Sequence, residues 1–589
     1  MLIIHTKEDQ VVSHDQVDRY NSSYNPLIIF STAPYCSHPR VYNLYNQRFM
    51  IMNWEAAAAQ KRDDRTNRLK PFAHWSLSEL TPPPSQKNVV SLVHARLTDR
   101  ERSFLASDTT DLAHRLATRE CTAVEVTIAF CKATYAAQEL TNCITEVMFD
   151  QALARAHELD EHLAQTGKAV GPLHGVPVSI KDRISVMGED TSCGYVAWAG
   201  KKIAQEDAPI VQILRTAGAI IYVKTTNPQS LFVFETSSNI YGYTTNPYNR
   251  LLSSGGSSGG EGALIAARAS LLGVGTDILG SIVSLHMLIP SPGYMAGYKG
   301  MENLVGVVGP MAHSVRDLEL FCEAIYQYEP WSIDFKIVHT PWNSLLAQGK
   351  RAEKLVVGVL IDDGVVAPHP PIVESLHRVR DALITAGHEV VDWEPMDHQE
   401  AIELVSKLCL LDGGDEIRSV LAESGEPPIP SVARILAEAE KHGTHTLAES
   451  WEVNAKRDAL RARGLKHWNE TALRTKSGRP VDAVLCPASA TLAPPHWTMR
   501  WFGYTAYWNL LDLPAAVFPL GKPFDASRWK SESHPSHAGP RNTTEEFVAN
   551  QWDPDTYDGA PIALQLVGRR WQEEKLLADL RVVDEVMKQ

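Results

Sequence analysis

Four glycines, Gly255, Gly256, Gly259 and Gly260, bracket Ser257 and Ser258 within SSGGSSGGEGALIAARASLLGVGTDILGS, residues 253–281. On its own, GGSSGG has the composition of a flexible linker. Its context argues otherwise. EGALIAARA continues at once as an Ala-rich apolar helix and LLGVGTDI as a buried strand, so a linker would feed straight into core elements. The glycines then serve positive φ and close backbone approach. The serines fall at a helix N-terminus, where outward N–H groups favour negative charge. A second Gly/Ser elbow follows at Leu279-Gly280-Ser281. A serine after a strand and a tight turn can be a nucleophile, with neighbouring N–H groups as an oxyanion hole, but it needs a base. No GxSxG elbow with ordered Asp and His partners is evident, and HxxxD arrangements among 22 histidines carry little weight. The remaining base is Lys181, in GPLHGVPVSIKD. A lysine ending an apolar strand is ordinarily a solvated end charge. Buried, its amine can shed its proton and accept one. Both readings of Lys181 stay open from the residues alone, which stop at a weak serine–lysine pairing.

The surrounding text supplies elements that could position these groups. VGPLHGVPVSIKDRISV reads as a strand with Gly and Pro punctuation. APIVQILRTAGAIIYVKTT reads as a helix, a stop at Gly218, and a buried strand. LVVGVLIDDG, PIVESLHRVRDALITAGHEVVDWE and VDAVLCP repeat a strand–helix–strand logic, and GAPIALQLVGRRWQEEKLLADLRVVDEVM closes as strand then helix. Such alternation favours a mixed or parallel sheet covered by helices on both faces. Helical spacing also runs through 97–140, with Thr109, Thr110 and Asp111 as cap positions, and through 151–165. Residues 520–556 are polar and Pro-rich and read as a long surface loop. Residues 1–51 show neither period. They are expected to be a leader, disordered or a mis-assigned start, ahead of one domain over 52–589.

Composition narrows the function classes. The chain has 589 residues, 44% hydrophobic and 21% charged, enough apolar residues for a large core. Its 70 acidic against 56 basic residues give a net charge of −14, which argues against nucleic acid as a partner through a general basic surface. The eight cysteines form no CxxC pair and no Cys/His zinc spacing, so no metal is expected. They read as reduced, buried thiols of a cytoplasmic protein. No apolar run is long enough for a transmembrane segment, and the sequons at Asn21, Asn469 and Asn542 read as chance matches.

GPLHGVPVSIKD, DAPIVQILRTAGAIIYVKTTNPQSLF, YGYTTNPYN, GGSSGGEGALIAARASLLGVGTDI, VGVVGPMAHSVRDL, WNLLDLPAAVFPL and GAPIALQLVGRRWQEEKLL occur in this order. Together they resemble the amidase signature family, in its fungal acetamidase and general amidase branch, with similarity to fatty-acid-amide hydrolases. The resemblance implies one large α/β domain with a twisted mixed β-sheet covered by helices on both faces. It implies a Ser–cis-Ser–Lys triad without cofactor. Ser281 would be the nucleophile, Ser257 the bridging serine on a cis peptide and Lys181 the base. Backbone N–H groups of Ile278, Leu279, Gly280 and Ser281 would form the oxyanion hole, Ser258 would bond within the triad, and Leu231 would line the acyl pocket. The implied substrate is a small-molecule amide of small or medium, partly apolar type. Nitrogen scavenging or fungal secondary metabolism is the role typical of the branch, and many relatives self-associate, leaving a homodimer open.

The resemblance breaks beside the nucleophile. Leu279 stands for a glycine, Val283 for an arginine expected to pair with Asp277, and Leu285 for a proline; the family's GLKPT run reads Gly297-Tyr298-Lys299-Gly300-Met301. A leucine held at positive φ would be strained by ~1–2 kcal/mol, and Asp277 buried without a partner would be destabilising. A catalytically impaired pseudo-amidase is therefore the alternative. A subunit acting on an amide carried by a charged tRNA fits the acidic balance less well.

Overall fold

The apolar run PVSIK becomes a strand buried at every residue, because it has a parallel neighbour on each side. Ile144–Val147 (β1), Pro177–Lys181 (β2), Ile220–Thr225 (β3), Leu272–Asp277 (β4) and Val307–Ala312 (β5) form a five-stranded sheet in the order β1-β3-β2-β4-β5. β2 runs parallel to β3 and β4, and the outer strands β1 and β5 are antiparallel. The computed structural model describes residues 53–83, 85–280, 298, 300–339, 342–343, 354–529 and 539–588. The leader expected over 1–51, together with Cys36, Ser281, Val283, Leu285, Gly297 and Lys299, lies outside the described residues.

A second five-stranded sheet comes from Val356–Val359 (β6), Glu389–Asp392 (β7), Ala483–Pro487 (β8), Ala515–Pro519 (β9) and Ala563–Val567 (β10), in the order β7-β6-β8-β10-β9. β6 is parallel to β7 and β8, while β10 is antiparallel to β8 and β9. The expected mixed architecture is thus hydrogen-bonded in two pieces, as large twisted sheets tend to be. Residues 52–589 form one compact unit. Helices Ala123–Thr141 and Gly259–Ala266 pack on β2, and helix Phe149–Thr166 on β3. The seven described cysteines are all buried free thiols. Among the described residues no helix is long and apolar enough to cross a membrane.

Two local expectations are corrected. Thr109, Thr110 and Asp111 lie inside a helix that starts at Thr109. Its cap is Asp108, whose extended backbone lets its carboxylate accept from the Asp111 N–H. Residues 520–556 are not one long loop, since Thr543–Asn550 is a helix capped by Asn542. That asparagine also donates to the Val365 carbonyl, 2.8 Å away.

Helix Trp54–Leu69 (α1) docks on β1 of the first sheet through buried charge, beside a small apolar contact of Ala58 with Val196, Ile240 and Tyr241. Arg65 donates to the Ile144 carbonyl at 2.8 Å. Lys61, 6% exposed, bridges Glu146 (2.7 Å) and Asp190 (3.1 Å), each 1% exposed. Burial pushes the Glu146 carboxyl up to about 7 even with Lys61 beside it. Lys61→Met strips two buried carboxylates of their cation and should cost about 3–5 kcal/mol in equilibrium unfolding. Because the folded pKa of Glu146 is raised, its contribution to stability is present at low pH and lost as pH rises through about 7. The variant's deficit should therefore be widest above neutrality and narrow toward about pH 5. Denaturant titrations at several pH values measure this, and an unchanged midpoint would mean that α1 is not held by this cluster.

Candidate active site

The parallel register places the C-terminal ends of β2 and β4 side by side, the edge where α/β sheets carry their sites. Lys181 closes β2, and Thr276 and Asp277 close β4. Helix Gly259–Ala266 brings its preceding loop to the same edge. The Gly256–Ser257 peptide in that loop is cis. Ser257 and Ser258 are 5% and 2% exposed, so the run is a core element and not a linker.

Lys181 is fully buried and is not an end charge in solvent. Its Nζ lies 2.8 Å from Ser257 Oγ, 2.9 Å from Ser258 Oγ, 2.9 Å from Thr276 Oγ1 and 3.3 Å from the Thr276 carbonyl. Among the described residues no carboxylate lies within ion-pair distance. Burial, helped by the like charge of Arg183, holds the amine well below the ordinary lysine range. The Ser258 hydroxyl donates to the Thr276 carbonyl at 3.1 Å, which turns its oxygen toward Nζ as an acceptor. A neutral amine has two N–H groups and one lone pair. With Ser258 Oγ and the Thr276 carbonyl as acceptors, its lone pair is available to the Ser257 hydroxyl.

Glu261, in the first turn of helix Gly259–Ala266, ties the strands together behind this group. Ser179 donates to one carboxyl oxygen at 2.6 Å and Thr225 to the other at 2.8 Å, joining β2 and β3 to the helix. Burial pushes this carboxyl up to about 7. Neither Glu261 nor Thr276 was singled out from sequence, although both stand within the quoted glycine-rich stretch.

The loop after β4 is organised by helix Gly503–Leu511 (α2). Asp277 is 2% exposed, and its Oδ1 accepts from Asn509 Nδ2 at 3.0 Å and from the Gly280 N–H. The carboxylate is therefore provided with donors from within its own loop and from α2. Gly280 has φ +122°, and a Cβ there would fall 2.1 Å from Thr505 Cβ on α2, so a glycine is required. Leu279 is not among the described residues with positive φ, so the expected strain does not arise. Its side chain is buried in an apolar cluster. Of the expected oxyanion donors, the Gly280 N–H points at Asp277 rather than outward.

Leu279 also lines a cavity of about 350 Å³ together with Phe232, Phe234, Ile402, Trp501 and Phe502. Leu231 is buried in the same cluster, but the cavity wall is formed by the residues after it. This follows from the backbone: Ser230 and Leu231 both have positive φ (70° and 68°), which turns the chain before Phe232. Tyr298 packs edge-on against Phe232, 5.3 Å between ring centres.

The arrangement is that of an enzyme with a buried amine against hydroxyls and an apolar cavity at its side. Comparison with known proteins agrees. The family model "Amidase" matches residues 125–577. The acetamidase of Emericella nidulans is 37% identical over 547 residues, covering 90% of this chain and 97% of the relative. The acetamidase of Aspergillus oryzae is 36% identical over 553 residues, covering 91% and 99%. Among solved structures, a fatty acid amide hydrolase superposes with a TM-score of 0.84 at 30% identity, covering 92% of this chain and 96% of that one. On this likeness the chain belongs to the amidase signature family, the enzymes that hydrolyse carboxylic amides.

Proposed function

We propose that the chain hydrolyses its amide through a Ser281–Ser257–Lys181 relay and an acyl-enzyme. The observation that carries this is the fully buried Lys181 amine, 2.8 Å from Ser257 Oγ on the cis peptide and without a carboxylate partner among the described residues. Neutral Lys181 takes the proton of Ser257, and Ser257 takes that of Ser281 as Ser281 Oγ attacks the amide carbonyl. The tetrahedral intermediate collapses when the same relay returns the proton to the nitrogen. The C–N bond breaks, ammonia or an amine leaves, and an ester remains on Ser281. Water then repeats the attack, its proton passing through Ser257 to Lys181 and back to Ser281 as the ester C–O bond breaks and the acid leaves. With the Gly280 N–H engaged by Asp277, the backbone N–H groups of Ile278, Leu279 and Ser281 remain as donors for the oxyanion, each worth roughly 3 kcal/mol of barrier.

The impaired-enzyme alternative loses two of its supports. Leu279 sits without left-handed backbone, and Asp277 has Asn509 and Gly280 as donors. The free, buried cysteines support placing this chemistry in the cytoplasm. Release of ammonia for nitrogen use is the role we assign, by likeness to the acetamidases.

Ser281 should be the residue labelled by a fluorophosphonate probe, with labelling lost in Ser281→Ala. A folded wild-type protein that takes no label at Ser281 would sink the relay. Lys181→Ala should remove turnover at neutral pH, and activity above a tenth of wild type would mean another base. The sign of the pH dependence also follows. The base must be unprotonated, so kcat/KM should climb about tenfold per pH unit below the apparent pKa of Lys181 and level off above it. Because that pKa is depressed, the plateau should begin well below the ordinary lysine range. A rate still climbing at pH 10 or above would show a lysine with an ordinary pKa.

A further inference from the structure

The cavity beside the relay is larger than a two-carbon amide needs. Its volume of about 350 Å³ is more than ten times the ~30 Å³ share of one water. It meets the catalytic loop at two points. Leu279 stands two residues before Ser281, and the backbone of Glu235 presses on the cis-peptide residue Gly256, where a Cβ would fall 2.7 Å from the Glu235 nitrogen. The body of the wall is apolar, with Phe234 stacked on Phe502 at 4.9 Å between ring centres.

Two guanidinium groups interrupt that wall. Arg434 and Arg500 both turn toward the carbonyls of Trp497 and Met499, at 3.3 and 3.4 Å for Arg434 and 2.9 and 3.1 Å for Arg500. Arg500 also lies over the Phe547 ring, 4.5 Å from its centre. Among the described residues neither arginine has a carboxylate within ion-pair distance, and Arg500 Nε and Nη2 have no acceptor. The acids on the same wall are engaged elsewhere. Glu235 accepts from the N–H groups of Trp497 and Met499, offsetting Arg434 and Arg500 only at longer range. Glu438 faces Lys441 and His442. Two like charges held together in a half-buried apolar cavity, with the Nε–Nη2 edge of Arg500 as an open planar fork, match the bidentate geometry of a carboxylate.

We propose that Arg434 and Arg500 anchor a carboxylate on the substrate, so that the preferred amide carries an anionic group on an apolar body. This rests on the amide-hydrolase reading of the neighbouring relay. The test compares kcat/KM for succinamate, adipamate and suberamate with that for butanamide, hexanamide and octanamide, in wild type, Arg434→Met and Arg500→Met, with circular dichroism to confirm folding. At one or more lengths the wild type should favour the carboxylated amide. The carboxylated-to-neutral ratio should fall roughly ten- to hundred-fold in each variant, mainly through KM. Arg434→Lys should fall less, and added salt should erode the preference. Equal or better turnover of the neutral amide at every length, or a ratio unmoved in both variants, overturns the anchor while leaving the hydrolase reading intact. If no amide is hydrolysed, the hydrolase reading fails, and calorimetric titration with adipate still decides the anchor. Binding weakened in both variants supports it, and no binding, or unaltered binding, overturns it.

Discussion

Everything at this site depends on keeping a lysine amine dry. Moving a charged ammonium into a protein interior costs several kcal/mol after relaxation, so a lysine buried without a carboxylate settles in its neutral form. Around Lys181 the fold supplies only uncharged oxygens, hydroxyls and a carbonyl, from Ser257, Ser258 and Thr276. These satisfy the amine's polarity without providing the countercharge that would hold it protonated. The central position of β2, buried along its length between two parallel strands, is what makes the site dry. Its neighbour shows the contrast. Lys224 on β3 is equally buried, yet it has Asp182 at 3.9 Å along with the Asp190 carbonyl and the Thr191 hydroxyl. One strand presents a lysine to hydroxyls and the next presents one to an acid, and only the first arrangement suits a base.

A second constraint is the placement of the loop after β4. Its anchors come from α2, which Asn509 ties to Asp277 and Thr505 presses against Gly280. The short loop is therefore defined from outside, by a helix late in the chain, more than by its own text. This is why an unusual residue at 279 can be absorbed. The backbone conformation that demands glycine falls at Gly280, where glycine is retained, and the Leu279 side chain turns into the apolar cluster.

The parts of the structure legible in the sequence were those written locally. β2, β3 and β4 are largely apolar runs bounded by Gly, Asp or Asn-Pro text, and a buried strand has few other ways to read. The glycine–serine block showed its nature because helix and strand text follow it without a break. Other features depend on distance or on backbone angles. Asn509 meets Asp277 across 232 residues, and nothing in the local pattern of either announces the other. Three adjacent cap-type residues at 109–111 could not be ranked against Asp108, because the cap is decided by extended backbone at that one position. Nothing in the local sequence pairs Lys61 with Glu146 and Asp190, since only the fold brings them beneath it. Arg434 and Arg500 passed unnoticed for the same reason: their meaning lies in sharing the carbonyls of Trp497 and Met499.

The two halves of the chain carry different burdens. Lys181, Ser257 and Ser258 stand on the first sheet and its glycine–serine loop, behind which Glu261 is held between Ser179 and Thr225. Most of the cavity wall comes from later segments, around Ile402, Arg434 and Trp501, and belongs to an apolar cluster distinct from the one that packs the first sheet. Most side chains in that wall make no contact with the oxygens around Lys181, so the cavity and the lysine site are built from separate parts of the chain. Leu279 is one of the residues where the two meet, two positions from Ser281 and part of the cavity lining. Its side chain adds apolar surface to the cavity wall. A leucine where glycine was expected therefore changes the cavity lining and not the backbone of the loop, because at this position the loop after β4 and the cavity wall are one segment of chain.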